Sequence, residues 1–522
     1  MNDGQRDALT APAEAQTSAP APVWWLALVL FAGHIAVNRW SPFEFQRDEF
    51  LYLAMGDHLQ WWRMDFPPFI ALLANVTRAV AGDSLVAIRL GPAVAASVLV
   101  ILAARVARTL GGSVAAQWMT AIAVATAPVV LRPGMLYQPV IFDQLWWTCA
   151  LFALLTRART GDPRWWLAVG VSLGVGLLTK LSIAFIGVGI VVGVVLTPLR
   201  KDLATRWPWL ALLVALTIGS ATLVGQWRLD FPITWQMRDL NAGQLGRRSI
   251  WAFLAEQPFL VGPIGVALAA VGLWSMLAGA RASIARAPAI AMLVAWTWLI
   301  VSRGKGYYGA PVYPIALAAG FVVLDGLRHM RWRRTSMGAV ITLMVLFSAI
   351  GMPLTLPVLS PEATARYAQR LGMAEATRTN YGTTLPLPQD YADMLGWKEM
   401  VAAVAEEWRA LPDADRARAV VAASNYGEAG ALDHYGSVYG LPRVVSGAGS
   451  YWFFGPGDKP GDVLLVLGEP PESMQPLFAT CELRRTVGSR WAVDEEQRVP
   501  ITLCRQPHKP LQAIWPMFNP AL

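Results

Sequence analysis

The sequence contains few charged residues for its length. Only 15% of its 522 residues are Asp, Glu, Lys or Arg, whereas 55% are hydrophobic and the mean hydropathy is +0.42. Soluble domains carry roughly 25% charged residues, so this apolar content has to be spread over many lipid-facing segments. The composition therefore predicts a polytopic α-helical membrane protein.

Short motifs for metal or nucleotide binding are also missing. The three cysteines, Cys149, Cys481 and Cys504, have no metal-ligand spacing, and no cluster of His and Cys indicates zinc. No GxxxxGK(S/T) loop occurs, which argues against a soluble nucleotide donor. These motifs imply no metal, and we expect no cofactor. The net charge of +8 does not indicate nucleic acid, because Lys and Arg form short clusters between apolar runs.

Apolar runs long enough to cross a bilayer recur between residues 23 and 356. About eleven such runs are predicted, at 23–39, 85–104, 113–131, 138–156, 164–179, 181–198, 207–225, 258–280, 286–302, 309–327 and 335–356. Lys and Arg cluster at every second boundary, which places the N-terminus in the cytoplasm by the positive-inside bias. With an odd number of spans, everything after about residue 357 lies on the outer side.

This topology divides the chain into regions. Residues 1–22 are expected to be a disordered cytoplasmic tail, followed by an uncleaved anchor. Residues 23–356 are predicted to form the transmembrane domain. Its first outer loop, 40–84, is predicted to hold helices that lie in the membrane interface.

The final third, 357–522, is predicted to form a small extracytoplasmic α/β domain. A helical pattern covers 397–411, and short strand patterns occur at 418–424, 462–468 and 501–505. Cys481 and Cys504 lie near two of these strands in an oxidising compartment, so a disulfide and two buried thiols both remain open.

Polar residues collect on the predicted outer side. They are Arg47, Asp48, Glu49, Asp65, Tyr137, Gln138, Asp143, Lys180, Arg247, Arg248, Lys305, Tyr307 and Tyr308. The adjacent acids Asp48 and Glu49 are the most informative, since an uncompensated carboxylate so close to hydrocarbon is costly. A carboxylate can take a proton from an acceptor hydroxyl, while Lys and Arg stabilise the charge of a departing phosphate.

Structural roles fit several of these residues as well. The acid pair 48–49 could cap the helix that follows it, because acids favour helix N-termini. Asp143 begins a span and could be the structural partner of an arginine. Lys180 could snorkel from a helix end, and the tyrosine pair 307–308 could be interfacial aromatics. Their shared side of the membrane, rather than any single residue, favours a functional site.

Several stretches together carry a family resemblance. They are RDEFLYLAMGDHL (47–59), DFPPFIALL (65–73), AIRLGPAVAASVLVILAARVARTLGG (87–112), FDQLWWTCALFALLTRA (142–158), GVSLGVGLLTKLS (170–182) and GKGYYGAPVYPIALA (304–318). In this order they resemble the GT-C membrane glycosyltransferases related to the dolichyl-phosphate-mannose:protein mannosyltransferases and to the bacterial aminoarabinose transferase acting on lipid A. The resemblance covers about residues 23–356 and implies the GT-C fold.

The C-terminal region also resembles bacterial members of this family. The stretches concerned are SNYGEAGALDHYG (424–436), LPRVVSG (441–447) and SYWFFGPG (450–457). They look like the extracytoplasmic domain of those members, but the resemblance implies no chemical role for them.

The family resemblance implies roles for three residues. It implies an inverting displacement at the anomeric carbon of a polyprenyl-monophosphate sugar, with the lipid phosphate leaving. Asp48 matches the base that activates the acceptor, and Glu49 helps to hold the site. Lys180 matches a lysine that approaches the donor phosphate.

The chain departs from the aminoarabinose branch before the paired prolines at 67–68. That branch has an acid followed by lysine there, whereas this chain has Asp65 and Phe66. This difference argues against lipid A as acceptor and aminoarabinose as donor sugar. The residues expected to contact the donor phosphate instead are Lys305, Arg247 and Arg248. The residues predicted to bind substrate are Asp65, Tyr137, Asp143, Tyr307 and Tyr308.

The sequence therefore predicts a glycosyltransferase of the bacterial inner membrane. It would move a sugar from a polyprenyl-phosphate donor to a periplasmic glycolipid, polysaccharide or protein. A transporter of a lipid-linked substrate is the alternative, with acids and cations along a translocation path. Against it stand the lack of an internal repeat and the grouping of polar residues on one side of the membrane. A structural or sensory membrane protein is a third hypothesis.

Overall fold

The computed structural model describes residues 21–327, 333–373, 377–379 and 382–521. The predicted tail, 1–22, lies outside these residues except for its last two, which begin the first helix. Helices up to residue 356 are Ala21–Trp40, Arg47–Asp57, Phe69–Ala81, Leu85–Ile88, Leu90–Thr109, Val114–Thr126, Pro128–Met135, Pro139–Thr160, Trp165–Thr179, Ile183–Val195, Trp207–Arg228, Ile233–Gly243, Ala252–Val261, Pro263–Ala278, Ala282–Val301, Tyr313–Gly326 and Arg333–Thr355. Short 3-10 helices are Pro198–Ala204, Leu245–Arg247 and Gly306–Val312.

Seven helical segments in the described part of the chain are long and apolar enough to cross a membrane. Three further pairs of helices pass the same test together but are bent at a short break, and counting each pair as one span gives up to ten. The second helix of each pair starts with a proline, at Pro128, Pro198 and Pro263, where the bends are 55°, 100° and 106°. Proline lacks the N–H that would continue the preceding helix. The remaining predicted span, 164–179, is a shorter apolar helix of 15 residues, Trp165–Thr179.

Close helix contacts in this part depend on small residues. The Trp165–Thr179 helix packs against Trp207–Arg228. At Gly170 a β-carbon would clash with the backbone carbonyl of Ala211. Small residues at such contacts let two membrane helices approach closely.

The first loop contains two helices, as predicted. We call Arg47–Asp57 the loop helix, and it packs against Phe69–Ala81. Asn75 Nδ2 donates a hydrogen bond to the carbonyl of Gly56 at 2.9 Å, and Arg78 pairs with Asp57 at 2.7 Å. Asn75 and Arg78, which interrupt the apolar run at 67–81, therefore connect the helix Phe69–Ala81 to the loop helix.

The C-terminal region forms a five-stranded sheet covered by helices. The strands are β1 (Ala419–Ala423), β2 (Val444–Val445), β3 (Val463–Leu467), β4 (Phe478–Val487) and β5 (Val499–Pro507), in the order β2-β1-β3-β5-β4. The contacts of β1 with β2 and β3 are parallel, and those of β5 with β3 and β4 are antiparallel. Helices here are Pro361–Arg370, Gln389–Ala392, Trp397–Ala410, Asp413–Arg418, Tyr426–Gly436, Ser450–Phe454, Pro471–Met474 and Leu511–Ile514.

The structure agrees with the three predicted strands and with the predicted helix at 397–411. The sequence patterns missed β4, most of whose residues are exposed, and β2, which has only two residues. A disulfide joins Cys481 of β4 to Cys504 of β5, which are paired in the sheet.

Candidate functional site

Asp48 lies in the first turn of the loop helix. Gln46 caps this helix by accepting a hydrogen bond from the backbone N–H of Asp48 at 2.8 Å. The carboxylate of Asp48 accepts two further bonds, from Tyr426 Oη to Oδ1 at 2.9 Å and from Gln138 Nε2 to Oδ2 at 3.3 Å. Burial raises the pKa of Asp48, while the Tyr426 hydrogen bond and the charge of Arg47 lower it.

Glu49, the next residue, has a different environment. It is fully buried and pairs with Arg89, also fully buried, through two hydrogen bonds of 2.8 and 2.6 Å. Its carboxylate also accepts from the backbone N–H groups of Gln46 and Tyr137, each at 2.6 Å. The Gln46 contact completes a capping box, so the helix-cap interpretation of the acid pair holds for Glu49.

Lys305 belongs to the surroundings of Asp48. Burial lowers the pKa of Lys305 to about 8, while the negative charges of Asp48 and Asp390 oppose the shift. Asp390 comes from the C-terminal region and forms an ion pair with Arg132 at 3.0 Å. The site therefore combines carboxylates with a lysine that is still mostly protonated at neutral pH.

Lys180 is brought to the same region by its aromatic neighbours. Its ammonium group lies 5.7 Å from the ring centre of Tyr307 and 4.9 Å from that of Tyr308, a cation–π arrangement. Asp143 supplies an opposite charge near Lys180 and accepts a hydrogen bond from Ser182 at 2.8 Å. The structure thus assembles three predicted site residues, Tyr307, Tyr308 and Asp143, around Lys180.

The loop arginines differ from each other. Arg248 pairs with Glu256 at 2.5 Å, and Glu256 accepts the backbone N–H of Gly306 at 2.7 Å. This chain of contacts fixes the segment that carries Lys305. Arg247 is exposed at the end of its short helix.

Two predicted substrate-binding residues have their polar side-chain atoms engaged by the protein. The hydroxyl of Tyr137 donates to the carbonyl of Ile70, and the Tyr137 side chain is fully buried. Asp65 accepts from Ser450 Oγ at 2.7 Å and from Gln236 Nε2 at 3.4 Å. Burial raises the pKa of Asp65 to about 6. Asp65 thus joins the first loop to the C-terminal domain.

Sequence reasoning missed three residues of this arrangement. Tyr426 and Asp390 reach the surroundings of Asp48 from the C-terminal region, and Arg89 neutralises Glu49 from within the second predicted span. For Tyr426 a signal was available, because it lies in the stretch SNYGEAGALDHYG. No pattern in that stretch indicates a contact with a residue 378 positions away.

Known proteins resemble this chain in sequence and in three-dimensional structure. Residues 65–224 match the family model described as dolichyl-phosphate-mannose-protein mannosyltransferase. The crystal structure of ArnT from Cupriavidus metallidurans bound to undecaprenyl phosphate has a TM-score of 0.58 at 17% identity, covering 92% of this chain and 97% of that chain. ArnT in the apo state gives 0.58 at 18% identity with the same coverage. No curated protein matches the sequence.

A more distant match is the archaeal oligosaccharyltransferase AglB from Archaeoglobus fulgidus in complex with an inhibitory peptide and a dolichol-phosphate. It has a TM-score of 0.45 at 13% identity and covers 78% of this chain and 63% of that chain. The likeness to ArnT over nearly the whole length confirms the predicted fold class, a GT-C membrane protein with a small C-terminal α/β domain.

Proposed function

We propose that this chain, a multi-pass membrane protein of the GT-C fold related to the protein mannosyltransferases and to ArnT, transfers a sugar from a polyprenyl-monophosphate donor. The acceptor is a hydroxyl group of a periplasmic glycolipid, polysaccharide or protein at a bacterial inner membrane. The observation that carries the proposal is the half-buried group formed by Asp48, Lys305 and Lys180, in which Lys305 interacts electrostatically with the other two. One carboxylate and two cations match the needs of an acceptor hydroxyl and a phosphate leaving group.

The reaction is a displacement at the anomeric carbon. The acceptor oxygen attacks that carbon while its proton passes to Asp48. The bond from the anomeric carbon to the phosphate oxygen breaks, and its electron pair leaves with the polyprenyl phosphate. The sugar configuration is inverted. Asp48 Oδ2 is the oxygen we assign to the proton transfer, because among the described residues it accepts only the longer 3.3 Å bond from Gln138.

The two lysines face the leaving group. A protonated Lys305 offsets the negative charge that develops on the phosphate, and a buried site strengthens this interaction because the local dielectric is low. Lys180, held above the Tyr307–Tyr308 pair and next to Asp143, supplies the second positive charge. Arg248 acts indirectly by holding the Lys305 segment through Glu256.

Glu49, Asp65 and Tyr137 are assigned to holding the site. All of them are buried, and their polar side-chain atoms are engaged by other protein groups. An enclosed carboxylate that already accepts several hydrogen bonds is not available to a substrate hydroxyl. The reaction therefore uses Asp48 and not Glu49 as its base.

The substitution Asp48→Asn tests the proposal. Purified protein is incubated with undecaprenyl-phosphate-linked sugars and an envelope extract from a deletion strain, and the released undecaprenyl phosphate is quantified. Asparagine keeps the shape of the side chain and can still accept from Tyr426, and its NH₂ group loses only the long 3.3 Å bond from Gln138, so we expect at most a small loss of thermal stability. Loss of the general base should lower kcat about 10² to 10⁴-fold.

A matched control lies on the same helix. Asp57→Asn alters a carboxylate that pairs with Arg78 and is 54% exposed, and we expect nearly wild-type turnover. Transfer by Asp48→Asn at the wild-type rate would contradict the assignment of the base. Mass spectrometry of glycolipids, polysaccharides and glycoproteins from wild-type and deletion cells then identifies the acceptor, and unchanged glycans would contradict the transferase function.

A further inference from the structure

The helix Tyr426–Gly436, which we call the docking helix, lies directly against the loop helix. Two glycines on one face of the docking helix make this contact possible. A β-carbon at Gly427 would lie 2.5 Å from Cγ of Arg47, and one at Gly430 would lie 2.6 Å from Cβ of Phe50. Residues three apart share a helix face, so both glycines face the loop helix. Larger side chains would push the two helices apart.

The start of the docking helix is fixed by a cap. Asn425 Oδ1 accepts the backbone N–H groups of Gly427 at 2.9 Å and Glu428 at 3.0 Å. Asn425 Nδ2 donates to Glu496 Oε1 at 3.0 Å, which ties the cap to the segment before β5. Asparagine is among the preferred N-cap residues for this reason. Tyr426, the first residue of the helix, therefore has a defined position.

Contacts from the loop helix fix the side chain of Tyr426 as well. The guanidinium carbon of Arg47 lies 5.0 Å from the ring centre of Tyr426, and Arg47 pairs with Glu495 at 3.1 Å. The hydroxyl of Tyr426 donates to Asp48 Oδ1 at 2.9 Å. Ring and hydroxyl are thus both held by neighbouring residues of the loop helix.

We propose that Tyr426 is a positioning residue for Asp48, so that the C-terminal domain completes the active site of the membrane domain. The inference rests on the proposed function, in which Asp48 is the base. The Tyr426 hydroxyl holds Oδ1 and thereby orients Oδ2 toward the acceptor. The stretch SNYGEAGALDHYG then has a role: its asparagine caps the helix, its tyrosine orients the base, and its glycines permit the contact.

The hydrogen bond also favours the ionised form of Asp48. Burial raises the pKa of Asp48, and the bond from Tyr426 lowers it. The other charged or titratable groups that interact electrostatically with Asp48 are Arg47, Tyr52, Lys305, Tyr307, Asp390 and Asp393. All of these remain when only the Tyr426 hydroxyl is removed. Its removal therefore raises the pKa of Asp48, and the base becomes protonated at a higher pH.

The substitution Tyr426→Phe tests the inference, since it keeps the ring beneath Arg47 and removes only the hydroxyl. The measurement is kcat and KM for an undecaprenyl-phosphate-linked sugar as a function of pH. The free energy of a hydrogen bond to a charged group corresponds to a factor of about ten to a hundred in a rate constant. We therefore expect kcat to fall by about that factor. The donor KM should stay within about twofold, and the acidic limb of kcat/KM should move to higher pH by about one unit.

Tyr451→Phe is the matched control. Tyr451 Oη donates to Asp433 Oδ2 at 2.9 Å, the same kind of bond at the same length in the same domain. A general loss of stability would affect both variants, whereas only Tyr426→Phe should shift the pH profile. In an Asp48→Asn background, Tyr426→Phe should cause little further loss, because the two residues act through one carboxylate.

The outcomes separate the two proposals. If Asp48→Asn abolishes transfer and Tyr426→Phe has the wild-type kcat and pH profile, the positioning role is wrong and the base assignment stands. If Asp48→Asn itself has the wild-type rate, the proposed function fails. Equal changes in the pH profiles of Tyr426→Phe and Tyr451→Phe would also overturn the positioning role.

Discussion

The buried ion pair of Glu49 and Arg89 allows a test of the different roles assigned to the two adjacent acids, Asp48 as the base and Glu49 as a structural residue. Both side chains are 0% exposed. Each oxygen of Glu49 accepts one hydrogen bond from Arg89 and one from a backbone N–H, those of Gln46 and Tyr137. Arg89→Met would leave a buried carboxylate without its counter-charge. Breaking a buried ion pair in this way costs about 3–5 kcal/mol.

Neutralising Glu49 as well should recover part of this loss. In the double variant Arg89→Met, Glu49→Gln no charge remains buried, but the glutamine NH₂ group meets one of the two backbone N–H donors. That unsatisfied donor costs about 1–3 kcal/mol. The double variant should therefore be more stable than Arg89→Met alone, by about 2 kcal/mol when the midpoints of the two ranges are compared.

Thermal unfolding of detergent-purified protein, with size-exclusion chromatography as a check on aggregation, measures the effect. Unfolding of a protein of this size is often irreversible, so unfolding temperatures are compared at one heating rate. Turnover per folded molecule is measured in parallel. If Arg89→Met had the stability of the wild type, the conclusion that Arg89 stabilises the fold by neutralising buried Glu49 would be wrong. A Glu49→Gln protein that keeps its unfolding temperature but loses activity as Asp48→Asn does would show that Glu49 takes part in the chemistry.

Two further outcomes follow from the site and the docking contact. Because the pKa of Lys305 is about 8, kcat/KM should fall above that pH as the lysine loses its proton. Lys305→Arg should remove this alkaline limb of the pH profile. If the limb is unchanged in the variant, Lys305 is not the group that stabilises the leaving phosphate. Gly430→Ala places a β-carbon against Phe50 and should lower both kcat and the unfolding temperature. Gly351→Ala, whose added β-carbon meets nothing within 4 Å, is the matched control; it should leave kcat unchanged and should not lower the unfolding temperature, because alanine is the better helix former.

The sequence predicted the central residues of the candidate site but not all of the residues that contact them. Asp48, Lys180 and Lys305 could be grouped because the alternating basic clusters predict that all of them lie on one side of the membrane. Their partners Arg89 and Tyr426 could not, because a buried arginine in an apolar run and a tyrosine in a distant domain leave no periodic signal. Contacts of this kind depend on how the helices pack, which a single sequence does not specify.

The docking helix shows the same limit at the level of secondary structure. Its sequence, YGEAGALDHYG, contains three glycines, and each lowers helix propensity by about 1 kcal/mol relative to alanine. Local propensity therefore argues against a helix here. Two of these glycines are where the docking helix touches the loop helix. The contact with the loop helix therefore explains why the docking helix contains the glycines that make it difficult to predict from local propensity.

The separation of Asp48 from Glu49 follows from helix geometry. Successive residues of a helix point about 100° apart, so two adjacent acids in one first turn cannot share an environment. Glu49 points to Arg89 and closes the capping box, which sets the position of the helix start. Asp48 consequently points toward Gln138 and Tyr426. The buried ion pair thus fixes the backbone of the proposed base, and the C-terminal domain fixes its side chain, so orientation of the base depends on both domains at once.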